Sequence, residues 1–403
     1  MIYCLARLLS KPGIRFPKFE YKIDTSFLIM AESLPLPVWV DTKQNFQEML
    51  ADLSVQRRIA VDTESNSLHA YREKVCLIQF STRDHDYVLD PLELSGLDSL
   101  GPLFANLDIE KIFHAAEYDL ICMKRDFGFK FANIFDTMQA SRVLGYQFVG
   151  LDNILQEKFQ IKMDKRHQKA DWGARPLALA QIDYARLDTH YLIELRDLLE
   201  NELRDKGRFE LALEDFARLC RMEEPREKLN GSSWRRFASR KDITPRELTI
   251  LSELCHSRDA IAEKMDRPPF KVIDDNQLLE IARKLPERDV DLAGLGLSTK
   301  QIRLWGRDML SAMKRGVEAP LVKPEQAKRP SDAVLKRLEK LKSWRKKLAQ
   351  DQKVESDIIL PKVYMNILAD HPPRNISDVE KVMADSPWRV NRYGLQIVEL
   401  LGG

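Results

Sequence analysis

Acidic side chains in three separate stretches are the residues of this sequence best suited to chemistry. Asp62 and Glu64 end an apolar strand pattern, and their two-residue spacing points both side chains to one face. Asp119 falls in the first turns of a predicted helix, whereas Tyr184 and Asp188, four residues apart, share one face of another. Each stretch alone also fits a structural role, such as a hydrated strand end or an acid favoured by a helix dipole.

Taken together, the four carboxylates indicate a metal centre. Carboxylates brought together repel one another and lose hydration, and bound cations remove that cost. Oxygen donors suit Mg²⁺ or Mn²⁺, and two such ions about 4 Å apart stabilise the attacking and leaving oxygens of a phosphodiester displacement. The sequence contains no Cys and His cluster with zinc-ligand spacing and no GxxxxGK[ST] motif for nucleotide phosphates.

The pattern around these residues predicts an α/β domain with a mixed sheet. Strands are predicted at 58–64, 75–81, 87–89 and 111–114. Helices are predicted at 93–106, 116–127, 136–144, 151–159 and 179–203. Short apolar strands interspersed with helices are typical of a sheet covered by helices.

Beyond residue 215 the strand signals stop and helical spacing continues. A shift of 87 residues aligns Leu254 with Leu341 and Arg258 with Arg345, together with further apolar positions and without a gap. We therefore predict two copies of a small all-α domain. The predicted order is an N-terminal tail, a catalytic domain, a basic linker, a first helical domain, a proline-containing linker and a second helical domain, at residues 1–32, 33–215, 216–241, 242–318, 319–331 and 332–403.

The composition is that of a globular protein with two or three domains and little overall charge. The 403 residues include 64 basic and 62 acidic ones, for a net charge of +2, and 44% are hydrophobic. These values exclude a mostly disordered chain and a global field that attracts nucleic acid. The five cysteines form no CxxC pair, and no run of 18 apolar residues predicts a membrane span.

The N-terminal segment lacks the long apolar stretch of a secretory signal. Its basic, acid-poor start leaves two alternatives open, a transit peptide or an extension that precedes a true start at Met30. We expect a cytoplasmic protein that acts as a monomer and makes no membrane contact.

The ordered motifs resemble a known family. Val61-Asp-Thr-Glu64, then His114-x4-Asp119, then Tyr184-x3-Asp188 are similar to the DEDDy branch of the 3′–5′ exonucleases. The intervening Asp171-Trp-Gly-Ala-Arg-Pro-Leu177 narrows the resemblance to ribonuclease D.

The repeated helical domain resembles the HRDC domain of helicases and ribonuclease D. Its signature stands at 254–259 in the first copy and, more divergent, at 341–346 in the second. Together the similarity extends over roughly residues 33–403.

The resemblance implies a ribonuclease H-like catalytic domain in which Asp62, Glu64, Asp119 and Asp188 hold two divalent ions, Mg²⁺ or Mn²⁺. It also implies that Tyr184 orients the attacking water. Because a phenol titrates near 10, Tyr184 suits the role of a positioner better than that of sole base. The implied activity is a 3′–5′ exoribonuclease that releases nucleoside 5′-monophosphates and trims structured RNA with a free 3′ end, such as tRNA precursors.

Eight residues near the motifs are candidates for binding the 3′-terminal nucleotide: Thr63, Leu68, His69, Gln79, His114, Lys165, Trp172 and Arg175. Structural roles are the alternatives. His114 also fits a core or cap histidine, and core packing is the favoured explanation of Trp172. Arg175 fits a contact either with a phosphate or with a carboxylate.

Two basic stretches are further candidates for RNA contacts, at 234–241 and 323–347. The second has ten basic and three acidic residues and contains Trp344, which suits sequence-tolerant phosphate binding, although such runs are usually solvated helix faces. Two rival functions stay open, a DNA 3′–5′ exonuclease and a non-catalytic RNA-binding scaffold.

Overall fold

A computed structural model of the chain describes residues 34–222, 232–323 and 330–402. The tail predicted at 1–32 lies outside the described residues. So do 223–231 and 324–329, which are the central parts of the two predicted linkers.

A six-stranded mixed sheet forms the centre of the first domain, in the order β1-β4-β3-β2-β5-β6. The strands are β1 (Val38–Val40), β2 (Arg58–Ser65), β3 (Val75–Ser81), β4 (Asp86–Leu89), β5 (Glu110–Phe113) and β6 (Ile134–Asp136). β3 is antiparallel to β2 and β4, and the other neighbouring pairs are parallel. The predicted α/β fold is confirmed. The sequence pattern misses β1 and β6, because three residues are too few to show alternation.

Helices cover both faces of this sheet. They are α1 (Lys43–Val55), α2 (Gly101–Ala105), α3 (Glu117–Phe127), α4 (Thr137–Leu144), α5 (Leu151–Phe159), α6 (Leu179–His190), α7 (Leu192–Asp205) and α8 (Phe209–Arg221). One apolar core lies between the sheet and α1 to α3, and another lies between the sheet and α4, α5, α7 and α8. All seven residues of β3 are consequently buried, as expected for a strand covered on both sides.

Two predicted helices in this domain have wrong boundaries, and one predicted domain boundary falls within a helix. The helix predicted at 93–106 is a 3-10 turn, Leu97–Leu100, followed by the short α2. The helix predicted at 179–203 is broken at Tyr191, because Thr189 bonds to Ser81 and His190 to Asp86, which holds the end of α6 against the sheet. The domain boundary predicted at residue 215 lies inside α8.

Two similar helical units follow. The first helical copy contains α9 (Pro245–Lys264), α10 (Pro269–Val272), α11 (Asp275–Lys284), α12 (Asp289–Ala293) and α13 (Thr299–Glu318). The second helical copy contains α14 (Asp332–Gln352), α15 (Ser356–Ile359), α16 (Lys362–Asp370), α17 (Ile376–Val382) and α18 (Pro387–Leu401). Each has its own apolar core.

The arginines of the repeated signature have the same structural role in both copies. Arg258 donates to the carbonyl of Ile273 at 3.3 Å, and Arg345 donates to the carbonyl of Leu360 at 2.8 Å. Each bond joins the long first helix of a copy to the segment that ends its short second helix.

The second helical copy docks on the α/β domain through buried charges. The side chain of Arg389 is fully buried and bonds to both Glu214 and Asp215 of α8, at 2.8 Å to each. Arg142 of α4 pairs with Glu355 and Asp357 at the rim of the same interface. Breaking a buried pair of this kind leaves an uncompensated charge, so the docking is specific in orientation.

The first helical copy contacts the loop 66–74, which follows β2. The backbone N–H of Tyr71 donates to Asp266 at 3.0 Å, and Arg72 pairs with Glu263 at 3.0 Å. The ring of Tyr71 packs against the core of the first helical copy. Among the helices described, none has the length and apolar character needed to span a membrane.

Candidate active site

Strand β2 places Asp62 and Glu64 on one face of the sheet. In the β2–β3 ladder Asp62 lies opposite Gln79 and Glu64 opposite Leu77, and a bulge follows directly after Glu64. A bulge bends the strand and commonly ends regular pairing next to an active site. The two carboxylates therefore lie next to the point where regular pairing of β2 with β3 ends.

Helix α6 brings the third acid to the same place. It packs across β2, β3 and β4 through Ala185, which is fully buried. Tyr184 and Asp188 lie one turn apart on this helix. Ligand oxygens of Asp62, Glu64 and Asp188 all lie within 4.8 Å of one another, so the structure brings together three residues that are up to 126 positions apart.

Asp119 stands beside this group without belonging to it. It lies in the first turn of α3, is only 6% exposed, and accepts a short hydrogen bond from the hydroxyl of Thr63. Its charge nevertheless raises the pKa of Asp62, Glu64 and Asp188. Asp119 is thus close enough to act with them electrostatically, and Thr63 holds its carboxylate.

Burial shifts the pKa of all four acids upward, and repulsion from the other acids of the cluster adds to the shift at Asp62, Glu64 and Asp188. Loss of hydration is the larger cause throughout, and it raises the pKa of Glu64 to about 9 and those of Asp119 and Asp188 to about 7. The same causes raise the pKa of Asp62 well above its ordinary value. Within the described part of the chain, no basic side chain is among the causes that act on these four pKa values, so the carboxyl groups of the cluster have no positively charged partner there.

The cluster lines a pocket of about 340 Å³, which we term the catalytic pocket. Its lining residues are Asp62, Thr63, Glu64, His114, Gly150, Leu151, Asp152, Met163, Asp164, Lys165, Gln168, Tyr184 and Asp188. Such a volume is at the lower end of the range for small-ligand sites, and it suits one nucleotide better than a duplex.

Tyr184 presents its phenol to this pocket and stays protonated at neutral pH. Burial and the neighbouring charges of Asp188 and Glu64 raise its pKa above the usual value of a phenol. Its ring stacks on the buried indole of Trp172, with ring centroids 6.0 Å apart and an interplanar angle of 27°. Tyr184 can therefore form hydrogen bonds in the pocket while its ring is held in place by Trp172.

His114 lines the pocket as a neutral imidazole. Burial lowers its pKa to about 4. Its Nδ1 lies 2.9 Å from the hydroxyl of Thr137. Lys165 also lines the pocket, and its ammonium pairs with Asp152 at 2.7 Å. These two residues and Thr63 are the predicted substrate contacts that the structure places in the catalytic pocket.

Three predicted substrate contacts are buried or committed elsewhere. Arg175 forms two bonds to the buried Asp90, at 2.5 and 2.7 Å, and also donates to carbonyls, so it has a structural role. Trp172 is 1% exposed and supports Tyr184 instead of contacting a base. Gln79 is fully buried below the pocket, and among the described residues neither polar atom of its side chain has a partner.

Two further predicted contacts lie on the loop 66–74 and its surroundings, outside the lining of the catalytic pocket. Leu68 is 39% exposed. The ring of His69 lies 3.2 Å from the carbonyl of Lys169 and 3.6 Å from Asp171. Sequence reasoning also misses six lining residues that lie at the start of α5 or in the segments on either side of it, namely Gly150, Leu151, Asp152, Met163, Asp164 and Gln168.

The basic stretches have different structural roles. In the first, Arg236 pairs with Asp275 and Arg240 with Asp242, so these charges are neutralised. In the second, Lys336, Lys340 and Lys347 lie along α14 beside Trp344 and Leu400 and line a shallow apolar groove. The described part of this stretch therefore keeps a basic, partly aromatic surface.

Comparison with known proteins agrees with this geometry. A family model described as 3′-5′ exonuclease matches residues 37–204, and the HRDC domain model matches twice, at 247–313 and 334–401. The second result confirms the predicted repeat. Among curated proteins, the exosome complex exonuclease RRP6 of Saccharomyces cerevisiae is 33% identical over 290 residues, which are 65% of this chain and 39% of that protein.

Solved structures of an RRP6 and of an RNase D are also similar to this chain. The catalytic core of RRP6 from Trypanosoma brucei has a TM-score of 0.62 at 26% identity and covers 74% of this chain and 87% of that one. RNase D of Escherichia coli has a TM-score of 0.67 at 24% identity and covers 91% of this chain and 98% of that one, which shows a shared fold. The chain therefore carries a domain of the 3′-5′ exonuclease family followed by two HRDC domains, and these matches support a DEDDy exonuclease of the ribonuclease D and RRP6 type.

Proposed function

We propose that this protein is a metal-dependent exoribonuclease that removes nucleotides one at a time from the 3′ end of structured RNA, such as tRNA precursors, and releases nucleoside 5′-monophosphates. The single observation that carries the proposal is the group formed by Asp62, Glu64 and Asp188, whose ligand oxygens lie within 4.8 Å of one another in an open pocket.

The acidic cluster fits divalent cations. Exonucleases of this type use divalent metal ions, and clustered carboxylates are ligands that Mg²⁺ and Mn²⁺ prefer. We assign Asp62, Glu64 and Asp188 as ligands and Asp119, which is held by Thr63, as the fourth acid of the site. Bound there, two ions would supply Lewis acidity for activating water and stabilising the leaving oxygen.

The protein's own residues supply orientation. The protonated phenol of Tyr184 can donate a hydrogen bond or accept one, which suits it to hold the attacking water. The neutral imidazole of His114 and the ammonium of Lys165 lie at the wall of the pocket, where they can contact the sugar and the phosphate of the terminal nucleotide.

RNA as the substrate is supported by the relatives. The Saccharomyces cerevisiae relative is named as an exonuclease of the exosome complex, and the Escherichia coli structure is described as an exoribonuclease involved in structured RNA processing. The chain spans 39% of the length of that yeast relative, so activity on RNA, substrate choice and partners are our proposals for this chain. A monomeric state and a cytoplasmic location also stay predictions.

The test uses one RNA labelled at its 5′ end and the same RNA labelled at its 3′ end, with Mg²⁺ or Mn²⁺ and with or without chelator. We expect a ladder of shortening 5′-labelled products, immediate release of a labelled mononucleotide from the 3′-labelled RNA, and no reaction with chelator or after Asp62→Asn. Internal cleavage, or unchanged hydrolysis by Asp62→Asn, would contradict the proposal.

Matched RNA and DNA overhangs separate the two nuclease alternatives. Faster degradation of DNA would favour a DNA exonuclease. RNA binding without any metal-dependent release of nucleotides would favour the non-catalytic scaffold.

A further inference from the structure

A second cavity, of about 540 Å³, lies where the α7–α8 turn of the catalytic domain meets the second helical copy. We term it the basic cavity. Its lining residues are Lys206, Gly207, Arg208, Gln352, Trp388, Asn391 and Arg392. Three of these carry a positive charge and none is acidic, and the exonuclease assignment makes no use of them.

Within the described part of the chain, none of the three cations of the basic cavity forms an ion pair with a carboxylate, although Lys206 lies near enough to Glu202 for its charge to lower the pKa of that carboxyl. Arg208 donates to the carbonyls of Val143 at 2.8 Å and Gln352 at 2.9 Å, and Lys206 donates to the carbonyl of Leu144 at 3.2 Å. Carbonyls fix these side chains without neutralising them. The third cation, Arg392, is exposed on α18.

In a different arginine-lined cavity of this protein, the arginines form ion pairs with nearby acids. At that cavity, which is lined by Arg58, Arg83 and Glu110 among others, Arg58 and Arg83 both pair with Asp197, at 2.7 and 2.5 Å. Arginines there serve as partners of local acids. No acid lines the basic cavity. Glu202, which lies near Lys206, already accepts hydrogen bonds from Tyr146 and Lys158, so the charge of the cavity, above all that of Arg208 and Arg392, is available to an anion.

We propose that the basic cavity binds backbone phosphates of single-stranded RNA upstream of the 3′ end that occupies the catalytic pocket. This inference rests on the proposed function for the identity of the ligand. Arg392 and Lys206 contact the phosphates, Arg208 adds charge while it joins the two domains, and Asn391 adds a neutral hydrogen-bonding group. The half-buried indole of Trp388 offers a surface for a base, as aromatic groups do in proteins that hold single strands.

The two cavities are close enough for one strand to reach both. Lys206 bonds to the carbonyl of Leu144, and Gly150 lines the catalytic pocket. Six residues of chain span at most about 20 Å. A stacked single strand with a rise of about 3.4 Å per nucleotide crosses that distance in roughly six nucleotides. The exposed ring of Phe148 lies on the connecting segment.

Binding measurements in the Asp62→Asn background test the inference without requiring hydrolysis. The probes are 5′-fluorescein oligouridylates of three and twenty nucleotides, and the readout is anisotropy between about 50 and 300 mM KCl. The test variants are Arg392→Glu and its double with Lys206→Glu, and Arg392→Lys is the charge-conserving rescue. The matched control is Lys381→Glu, because Lys381 is an exposed lysine of the second helical copy outside the cavity.

For the 20-mer we expect the double variant to weaken binding about tenfold at 100 mM salt. Loss of two phosphate contacts should reduce the slope of log affinity against log salt by about 1.4, since each contact on a single strand contributes about 0.7. Arg392→Lys should retain most of the affinity, and the three-nucleotide probe, which is too short to reach, should show none of the loss.

Three results would overturn the inference: a double variant that matches Lys381→Glu in affinity and salt slope, an equal loss on the short probe, or no rescue by lysine. Failure of the proposed function has a different signature, because it appears as absence of nucleotide release by the parent protein and leaves these binding curves readable.

Discussion

Replacing an acid of the catalytic cluster should make the metal-free protein more stable. Asp188 is the best position for the test, because it lies on a well-packed helix and its carboxyl has a neutral isostere, Asn. Its pKa is raised from 3.8 to about 7 by loss of hydration and by the charge of Asp119. The folded state therefore binds this proton more tightly than the unfolded state does.

The sign of the effect follows from that shift. The contribution of the Asp188 carboxyl to stability is present below pH 3.8 and is lost as the pH rises through 7. At 1.36 kcal/mol per pKa unit the loss above pH 7 is about 4 kcal/mol. Because the side chain is partly open to the pocket, we halve this value for solvent screening, to about 2 kcal/mol.

The assay is thermal unfolding of the parent and of Asp188→Asn in chelator at pH 4 and pH 8. A change of about 2 kcal/mol corresponds to a rise of roughly 4–8 °C in the melting temperature of a domain of this size. We expect that rise at pH 8 and almost none at pH 4. Saturating Mn²⁺ should then favour the parent, since a ligand at 100 times its Kd stabilises by about 2.7 kcal/mol.

Asp90→Asn is the matched control. Asp90 lies in the same domain, is 1% exposed and is bonded to Arg175. Removing its charge leaves the guanidinium unpaired and should destabilise the protein by about 2–3 kcal/mol at pH 8. An Asp188→Asn variant that melts at or below the parent temperature at pH 8 in chelator would refute the inference that the carboxylates of the cluster destabilise the metal-free protein.

Two other substitutions test how the site is positioned. Tyr184→Phe should lower kcat about 10- to 100-fold while KM for RNA and the stabilisation by Mn²⁺ stay near the parent values, because in the proposed mechanism the phenol orients water and is not a metal ligand. Steady-state kinetics and melting curves check this, and loss of the Mn²⁺ effect would contradict it. Asp266→Ala removes the bond to Tyr71 and should raise KM for RNA by roughly threefold or more with kcat unchanged. Asp291→Ala is the control, because Asp291 pairs with Arg288 of the same copy. Equal KM values for the two variants would contradict the expected effect on RNA binding of the contact between the first helical copy and the loop 66–74.

Local periodicity explains why the cluster and the repeat could be read from the sequence. The spacing of Asp62 and Glu64 fixes their common face on a strand, and the spacing of Tyr184 and Asp188 fixes theirs on a helix. The helical copies likewise repeat at one offset, so that α9 and α14 begin at Pro245 and Asp332. Each of these spacings is decided within one element or by comparison of two similar helical copies.

Features that depend on a distant partner were not readable in this way. Arg175 was equally compatible with a phosphate and a carboxylate, and its partner, Asp90, lies 85 positions away. The basic cavity is lined by residues between 206 and 392 that share no motif. The break at Tyr191 also has a tertiary cause, because the side chain of His190 bonds to the sheet. A sequence pattern indicates which side chains share a face of a helix or strand, whereas the residues that each side chain contacts depend on the tertiary fold.

The distribution of basic residues around the cluster is the strongest argument that its acids await a cation. Arg175 lies in the same layer of the domain, yet both of its bonds to a carboxylate go to Asp90. Lys165 is at the pocket wall, and its partner is Asp152. If Asp62, Glu64 and Asp188 served only to stabilise the fold, we would expect basic side chains such as these to form ion pairs with them. Leaving three carboxylates within 4.8 Å of one another costs folding free energy, and the proposed binding of divalent ions would recover that cost.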